Sequence, residues 1–397
     1  MTASDAVGGH AGNPRLVSVI RQEIRENGPM RFDRFMELAL YHPRLGYYSS
    51  GRTEIGKRGD FYTSVSVGAL FGELLALQFV EMWELLGRPK TFYLVEAGAH
   101  HGNLATDILD WLRQNHPDVA SACHYIIIEP SPALQRRQRK TVQADLPVKW
   151  VSKLSEIRHN SLVGCIFSNE LLDVFPVRRI TWSNGHWRDV CVDWREERFV
   201  YTVGRFCEAA HQFIADSQSR PTFFPERYTT EVCPAAEKWV HSAVRRLKRG
   251  WLLFFDYGYE ASEYFAPHRT DGTLRCYYRH QPNSEPLERV GIQDVTAHVN
   301  FTAIARAGKS AGANEAGFCH QQHFLVGIAH RSYLRQLESD LAGTTSGDSK
   351  TDAARKKIRA FQTLTHPDHF GRALKVLTLS KGKELPRISG LRYARPI

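Results

Sequence analysis

A chain of 397 residues with 42% hydrophobic and 24% charged side chains can bury a substantial core and is long enough for two or three domains, which excludes disorder of the whole. Against 42 acidic residues stand 52 basic ones, a balance of +10 spread along the chain, so a basic enzyme fits better than a protein that coats a polyanion. Apolar runs such as Trp251 to Phe255 fall far short of the roughly 18 residues of a membrane helix, so no membrane insertion is expected, and seven cysteines without C-x-x-C spacing point to reduced thiols in a cytoplasmic protein.

The first fifteen residues lack an apolar stretch and read as a short flexible arm. Apolar residues at helical spacing over 16–40, interrupted by Gly28-Pro29, predict two short helices. Residues 41–64, rich in Gly, Tyr and Ser, follow neither period and predict a long loop. Residues 67–86 are apolar nearly all round, which predicts a buried helix ended by Gly87. Residues 1–90 therefore form an N-terminal helical or lid region.

From 91 the pattern changes. A strand at 91–95, a helix carrying Leu104, Ile108, Trp111 and Leu112 on one stripe, and a strand at 124–128 make a βαβ unit. A strand at 164–168, a helix at 234–247 and a strand at 251–255 continue it, so the fold class is α/β: a parallel sheet with helices on both faces over 91–335. Residues 180–203 alternate apolar and polar and carry Asn184-Gly185, the signal of a hairpin, which predicts a β insertion at about 180–230. Residues 343–350 read as a linker, and a basic helix (351–363) and a strand (374–379) complete an appendage over 336–397.

The string LVEAGAHHGNL places Glu96, Gly98 and Gly102 where a strand turns into a helix. Such a turn lets backbone approach a nucleoside, and a strand-end carboxylate accepts hydrogen bonds from an amine or ribose hydroxyls. S-adenosyl-L-methionine, which has no phosphate and carries a positive sulfonium, suits an acidic turn; a plain βα turn packed on two glycines is the competing reading. Glu129, at the end of the next strand in YIIIEPSP, stands where the ribose hydroxyls would lie. The turn lacks G-x-G-x-x-G, which weighs against a dinucleotide. GRTEIGK (51–57) has the spacing of a phosphate loop but is followed by Arg58 and no helix, which excludes an NTPase. His320 with His323, and His366 with His369, lack the partners of a metal site, so no metal is expected.

In CIFSNELLDVFPV, Glu170 and Asp173 are spaced i, i+3, as if on one face of a helical turn ended by Pro176, with Asn169 beside them; a solvated acidic cap is the alternative. Asp256 in FFDYGYE again ends an apolar strand, which would put several acids on one rim of the sheet.

Taken with GYY (46–48), GDFYTS (59–64), FGE (71–73), EPSPALQRRQ (129–138), NELLDVFPV (169–177), DYGY (256–259), GTLRCY (272–277) and QDVTAHVNFTA (293–303), these strings resemble the MidA family, over roughly residues 15–330 in the right order, with KVLTLSKG (375–382) matching its closing strand. Those proteins are S-adenosyl-L-methionine-dependent methyltransferases related to the mitochondrial complex I assembly factor that methylates a protein arginine. The resemblance implies a class I, Rossmann-like seven-stranded methyltransferase core and a protein substrate. It also implies that the glycine loop and Glu129 hold the cofactor, that GDFYTS, with Asp60, Thr63 and Ser64, closes over it, and that the Asn169-Glu170-Asp173 turn faces the methyl group.

One departure stands out. The family's loop reads close to G-P-G-x-G-T, whereas this chain has Gly98-Ala99-His100-His101-Gly102-Asn103. His100 either puts a Cβ where backbone meets ligand or takes a positive φ at a cost, and either bears on cofactor affinity. If the acceptor is an arginine, Glu170 and Asp173 would orient its guanidinium and Asn169 would position it; His298 is a proton acceptor or a core histidine. The rival readings are a methyltransferase for a small molecule or RNA and a binding protein that kept the fold without turnover. The basic runs 136–140 and 245–249 fall in helical stretches and read as solvated faces, not as a nucleic-acid surface.

Overall fold

The computed structural model describes residues 12–49, 63–142, 147–207, 210, 214, 224–279, 281–330, 333–334 and 349–397. The chain divides into two compact units, neither continuous in sequence.

The larger unit comprises residues 63–172, 238–258 and 304–397. Its sheet is built from β1 (Phe92–Ala97), β2 (Cys123–Ile128), β3 (Val148–Val151), β4 (Leu162–Asn169), β5 (Leu247–Tyr259), β6 (Asn314–His320) and β7 (Leu374–Lys381), in the order β6-β7-β5-β4-β1-β2-β3. The run from β5 to β3 is parallel, and β7 is antiparallel to both its neighbours. Strands covered on both faces need continuous apolar runs, and Ile126 to Ile128 and Trp251 to Phe255 supply them. On one face pack α1 (Leu70–Leu85), through Phe71, Leu74 and Phe79, and α2 (Asn103–Asn115), through Leu104, Ile108 and Leu112. Phe71 meets Phe255 edge-on at 5.6 Å between ring centroids. The helix expected over 67–86 thus belongs to this unit and starts only after the 3₁₀ turn Ser64–Val67. Helices α3 (Pro132–Thr141), α4 (Gln321–Ala329) and α5 (Ser349–Thr365) complete the parts used below.

Two readings change here. Strand β7 is no appendage, since it lies inside the sheet between β5 and β6. Its apolar residues Leu374, Val376, Leu377 and Leu379 are fully buried, which an exposed tail would not allow. Helix α5 is tied to α1 by Lys357, whose Nζ donates to Glu73 at 2.7 Å. Strand β3 and the short helix Pro117–Ala122 have no clear periodic signal and were not anticipated. The expected linker at 343–350 lies, up to 348, outside the described residues.

The smaller unit comprises residues up to 62, 173–237 and 259–303. Helices Pro14–Asn27 and Phe32–Tyr41 are separated where expected, at Gly28, whose φ of 80° ends the first. The β insertion is antiparallel: His186–Arg195 pairs with Arg178–Ser183 and Arg198–Phe206. Asn184 (φ 51°) and Gly185 (φ 77°) make the first hairpin turn, both left-handed, as a two-residue turn between right-twisted strands demands. Glu196 (φ 48°) and Glu197 (φ 58°) repeat that geometry at the second turn without a glycine. The N-terminal helices share one core with this insertion, in which Leu16, Ile20 and Phe35 meet Val192 and Phe199. The boundaries expected at 90 and 335 therefore do not separate these units: the helical region up to 49 belongs with the insertion. Among the described residues no helix is long and apolar enough to cross a membrane.

Candidate active site

After β1 the chain moves through β2 and β3 on one side, then returns to lay β4 and β5 on the other. The connections leaving β1 and β4 consequently diverge, and a crevice opens at the carboxyl ends of these two strands, where open α/β sheets hold their ligands.

The turn after β1 takes positive φ at Gly98 (76°), His100 (44°) and Gly102 (85°). It is also packed tightly: a Cβ on Gly98 would lie 2.9 Å from Leu171 Cδ1, and one on Gly102 would lie 3.1 Å from Val142 Cγ2. His100 therefore adopts the left-handed backbone that the family's glycine would take without cost. Its ring lies 4.0 Å from that of His101, and burial, with His101 and Arg137 nearby, lowers its pKa to about 3.

The two strand-end carboxylates are held differently. Glu96 accepts a hydrogen bond of 2.6 Å from Tyr125 Oη and is 3% exposed. Burial raises its pKa to about 7, against the Tyr125 bond and with Asp107 adding to the rise. One oxygen of its carboxylate is thus engaged by Tyr125 beside the sheet. Glu129 accepts from Ser131 N at 2.8 Å and from Gln138 Nε2 at 3.1 Å. Burial raises it to about 7 as well, the two bonds opposing the rise.

Gln138 is the residue the sequence reading passed over. Fully buried on α3, it also donates to His100 O at 3.0 Å and accepts from Trp150 Nε1 at 2.9 Å, so one amide ties Glu129 to the glycine turn. Its position four residues after Leu134, on the helix's inner face, was the available signal.

At the end of β4, Asn169 Nδ2 donates to Glu170 Oε1 at 2.9 Å. Glu170 has φ 52° and anchors its backbone N–H on Phe255 O at 2.8 Å. Asp256 is not on the rim. Fully buried in β5, its Oδ2 accepts from Leu171 N (3.1 Å) and Leu172 N (2.7 Å), and its Oδ1 from Tyr257 N (2.9 Å), which holds the turn that carries Glu170.

The expectation that Glu170 and Asp173 share a helical face is not met. Glu170 precedes the 3₁₀ turn Leu172–Val174 in a left-handed conformation, and Asp173 is buried as the first residue of the other unit's second segment. Thr63 and Ser64 also spend their hydroxyls on protein. Thr63 Oγ1 lies 3.2 Å from Ser66 Oγ in a capping box, and Ser64 Oγ donates to Gln321 Oε1 of α4 at 3.2 Å. Asp60 lies outside the described residues, as does the 51–57 string. The His298 backbone N–H donates to Thr273 Oγ1 (3.1 Å), its Nδ1 lies 3.3 Å from Thr273 O and its ring packs on Tyr259, which favours the core reading. His320 Nδ1 lies 3.0 Å from Arg372 O, and His366 Nδ1 accepts from Asp368 N at 3.2 Å; among the described residues no group of three metal-ligating side chains forms.

Two polar atoms of these turns, His100 Nε2 and Asn169 Oδ1, are buried without a hydrogen-bond partner among the described residues. Buried polar atoms of this kind call for a partner.

The family model for S-adenosyl-L-methionine-dependent methyltransferases matches residues 74–319. The chain belongs to that family. The methyltransferase is similar to a Burkholderia thailandensis protein crystallised with S-adenosyl-homocysteine, at 30% identity over 99% of this chain and 98% of that one, with a TM-score of 0.83. It is 27% identical to the Drosophila melanogaster protein arginine methyltransferase NDUFAF7 homolog, mitochondrial, over 94% of this chain and 86% of that protein. The human protein arginine methyltransferase NDUFAF7, mitochondrial, is 25% identical over 94% and 84%. The fold is the class I methyltransferase fold and the cofactor is S-adenosyl-L-methionine.

Proposed function

We propose that the methyltransferase acts on an arginine side chain of a protein, with the turn after β4 receiving the guanidinium. The observation that carries this reading is the Asn169-Glu170 pair. Its carboxylate stands at the carboxyl end of β4, at the switch point, and is oriented by an amide 2.9 Å away and by the Asp256-capped backbone behind it. S-adenosyl-L-methionine, when bound, supplies a methyl group on a positively charged sulfur for in-line displacement.

The protein's own work is orientation. A guanidinium keeps its proton in water, so its nitrogens are poor nucleophiles until a carboxylate takes N–H bonds from it. Glu170 would accept those bonds, fix the plane of the group and draw positive charge toward itself, while Asn169 holds Glu170 in place. Gly98, Gly102 and Glu129, braced by Gln138, are the residues that would hold the cofactor. The names of the relatives support an arginine acceptor. A small-molecule or RNA acceptor has no comparable support.

The test is incubation of the purified protein and a cell extract with methyl-labelled S-adenosyl-L-methionine, followed by mass spectrometry. Label on arginines in protein is the expected result. Label confined to RNA or to small molecules would overturn the proposal.

A further inference from the structure

We infer that the rim of the larger unit formed by Arg158, Arg245, Lys248, Arg249, Lys381 and Lys383 is a docking surface for an acidic, extended segment of a protein partner. The rim lies at the end of the sheet opposite the crevice, and its role is separate from cofactor binding and methyl transfer.

Three segments distant in sequence meet there. The basic run 245–249 spans the end of the helix Pro234–Arg246 and the start of β5, so it is not one helical face. Asn160 N donates to Arg245 O at 2.8 Å and Ser161 N to Arg246 O at 3.0 Å, which brings the turn before β4 alongside the run. On the other side Lys381 Nζ donates to Val244 O at 2.9 Å, and a Cβ on Gly382 would lie 2.7 Å from Arg249 Cγ. Strand β7 is antiparallel to β5, with Lys381 opposite Gly250, so its carboxyl end joins the amino ends of β4 and β5.

The fold leaves these charges without a counter-charge. Arg158, Arg245, Lys248 and Lys383 are exposed, and among the described residues none of the six cations forms an ion pair with a carboxylate. Glu156, two residues before Arg158, spends Oε1 on the backbone N–H groups of Ser152 (3.0 Å) and Lys153 (3.1 Å). Glu384 is the one acid next to Lys383 in sequence. The crowding is felt by the neighbours: desolvation, then the charges of Arg246, Arg245 and Lys381, lower the pKa of His159, and desolvation with Arg245 lowers that of Lys381. Like charges gathered this way set up a field that draws and orients an anionic partner.

Size and composition select the partner. The ends of β7, β5 and β4 span two inter-strand spacings, about 10 Å. That is the reach of about three residues of extended chain, whereas a nucleic-acid site follows a longer track of phosphates. Segments 158–161, 245–250 and 381–384 contain no Phe, Tyr or Trp, and their one large apolar side chain, Leu247, is fully buried. The rim therefore has no platform for stacking bases and nothing to enter a lipid interface. What it does offer is guanidinium forks and ammonium groups, which suit carboxylates.

The experiment is fluorescence anisotropy of a labelled oligoglutamate peptide titrated with the full chain, at low and at physiological salt. Wild type should bind the peptide, more weakly as salt rises. Arg245→Glu with Lys248→Glu should bind at least about tenfold more weakly. Arg245→Gln with Lys248→Gln, which removes the charges without reversing them, should lose affinity in the same direction and serves if the first variant does not fold. Arg355→Glu with Lys356→Glu makes the same change of net charge on exposed positions of α5 and should stay within twofold of wild type. Absence of binding to wild type, or equal losses in the 245/248 and 355/356 variants, would overturn the proposal. So would tighter binding to oligouridine, or to phosphatidylcholine vesicles containing phosphatidylserine, than to the peptide. None of these readouts is methyl transfer or cofactor binding, so failure here is distinct from failure of the proposed function.

Discussion

Replacing Asp256 by Asn should loosen the turn that carries Glu170, and the structure sets the scale. The buried carboxylate accepts three backbone N–H groups, from Leu171 and Leu172 on one oxygen and from Tyr257 on the other. A hydrogen bond to a charged group contributes about 1.5–3 kcal/mol, a neutral one about 1 kcal/mol. With the amide oxygen facing Leu171 and Leu172, two bonds survive in weakened form, while the new NH₂ faces the Tyr257 N–H, donor against donor. One charged bond is lost and two are reduced, so D256N should cost about 3 kcal/mol. That is a large share of the roughly 5–15 kcal/mol by which a domain is stable. Alanine, which leaves all three donors buried and unmet, should cost about 5 kcal/mol and threaten folding. Urea unfolding of D256N, followed by circular dichroism at fixed pH, reads the difference directly, and methyl transfer should fall at least tenfold as the turn loosens. A change below about 1 kcal/mol would show that Asp256 does not hold the turn.

Three further outcomes follow from the same geometry. Glu96 has a folded pKa of about 7 against an ordinary 4.5, so between these values the folded protein binds more protons than the unfolded one, and stability falls as pH rises through that window. Raising the pH from 5 to 8 should cost wild type about 2 kcal/mol more than Glu96→Gln, which keeps an acceptor for Tyr125; equal pH slopes in urea titrations would refute this. Gln138→Leu leaves Glu129 Oε2, His100 O and Trp150 Nε1 without this partner and should destabilise by about 3 kcal/mol while weakening S-adenosyl-homocysteine in calorimetry; a stable variant with unchanged affinity would remove Gln138 from the site. Glu170→Gln keeps the Asn169 bond, so affinity for S-adenosyl-homocysteine should stay within twofold while the rate of methyl transfer drops tenfold or more. A wild-type rate would take Glu170 out of the mechanism.

Much of the core was legible because its signals are local. A strand buried on both faces writes a continuous apolar run, a helix writes its stripe, and Asn184-Gly185 writes its own turn. The glycine turn and the strand-end acids could be placed at a crevice from their order alone. What could not be read was which of those acids meet protein. Glu96, Glu129 and Asp256 all end apolar strands, yet Tyr125 bonds the first, Ser131 N and Gln138 the second and three backbone amides the third, and of these partners Tyr125, Leu171 and Leu172 lie far from their acids in the chain. The helical spacing of Glu170 and Asp173 misled for a related reason. Asp256 pins the amides of Leu171 and Leu172, and Glu170 turns left-handed before the 3₁₀ turn begins. Strand β7 read as an appendage because its sequence position after a linker says nothing of the gap between β5 and β6 that it fills.

The account's central claim is that the cofactor lies on the turn after β1. It is tested most directly by titrating S-adenosyl-homocysteine calorimetrically into the wild-type protein and into Gly98→Val side by side. Valine at φ 76° is strained, and its Cβ would stand 2.9 Å from Leu171 Cδ1, so the Leu171 side chain must give way and the turn is biased away from its left-handed backbone where it meets the ligand. The account predicts micromolar binding to wild type and at least tenfold weaker binding to a G98V protein that still shows the wild-type circular dichroism. Equal affinity for both would contradict it and move the site away from this turn.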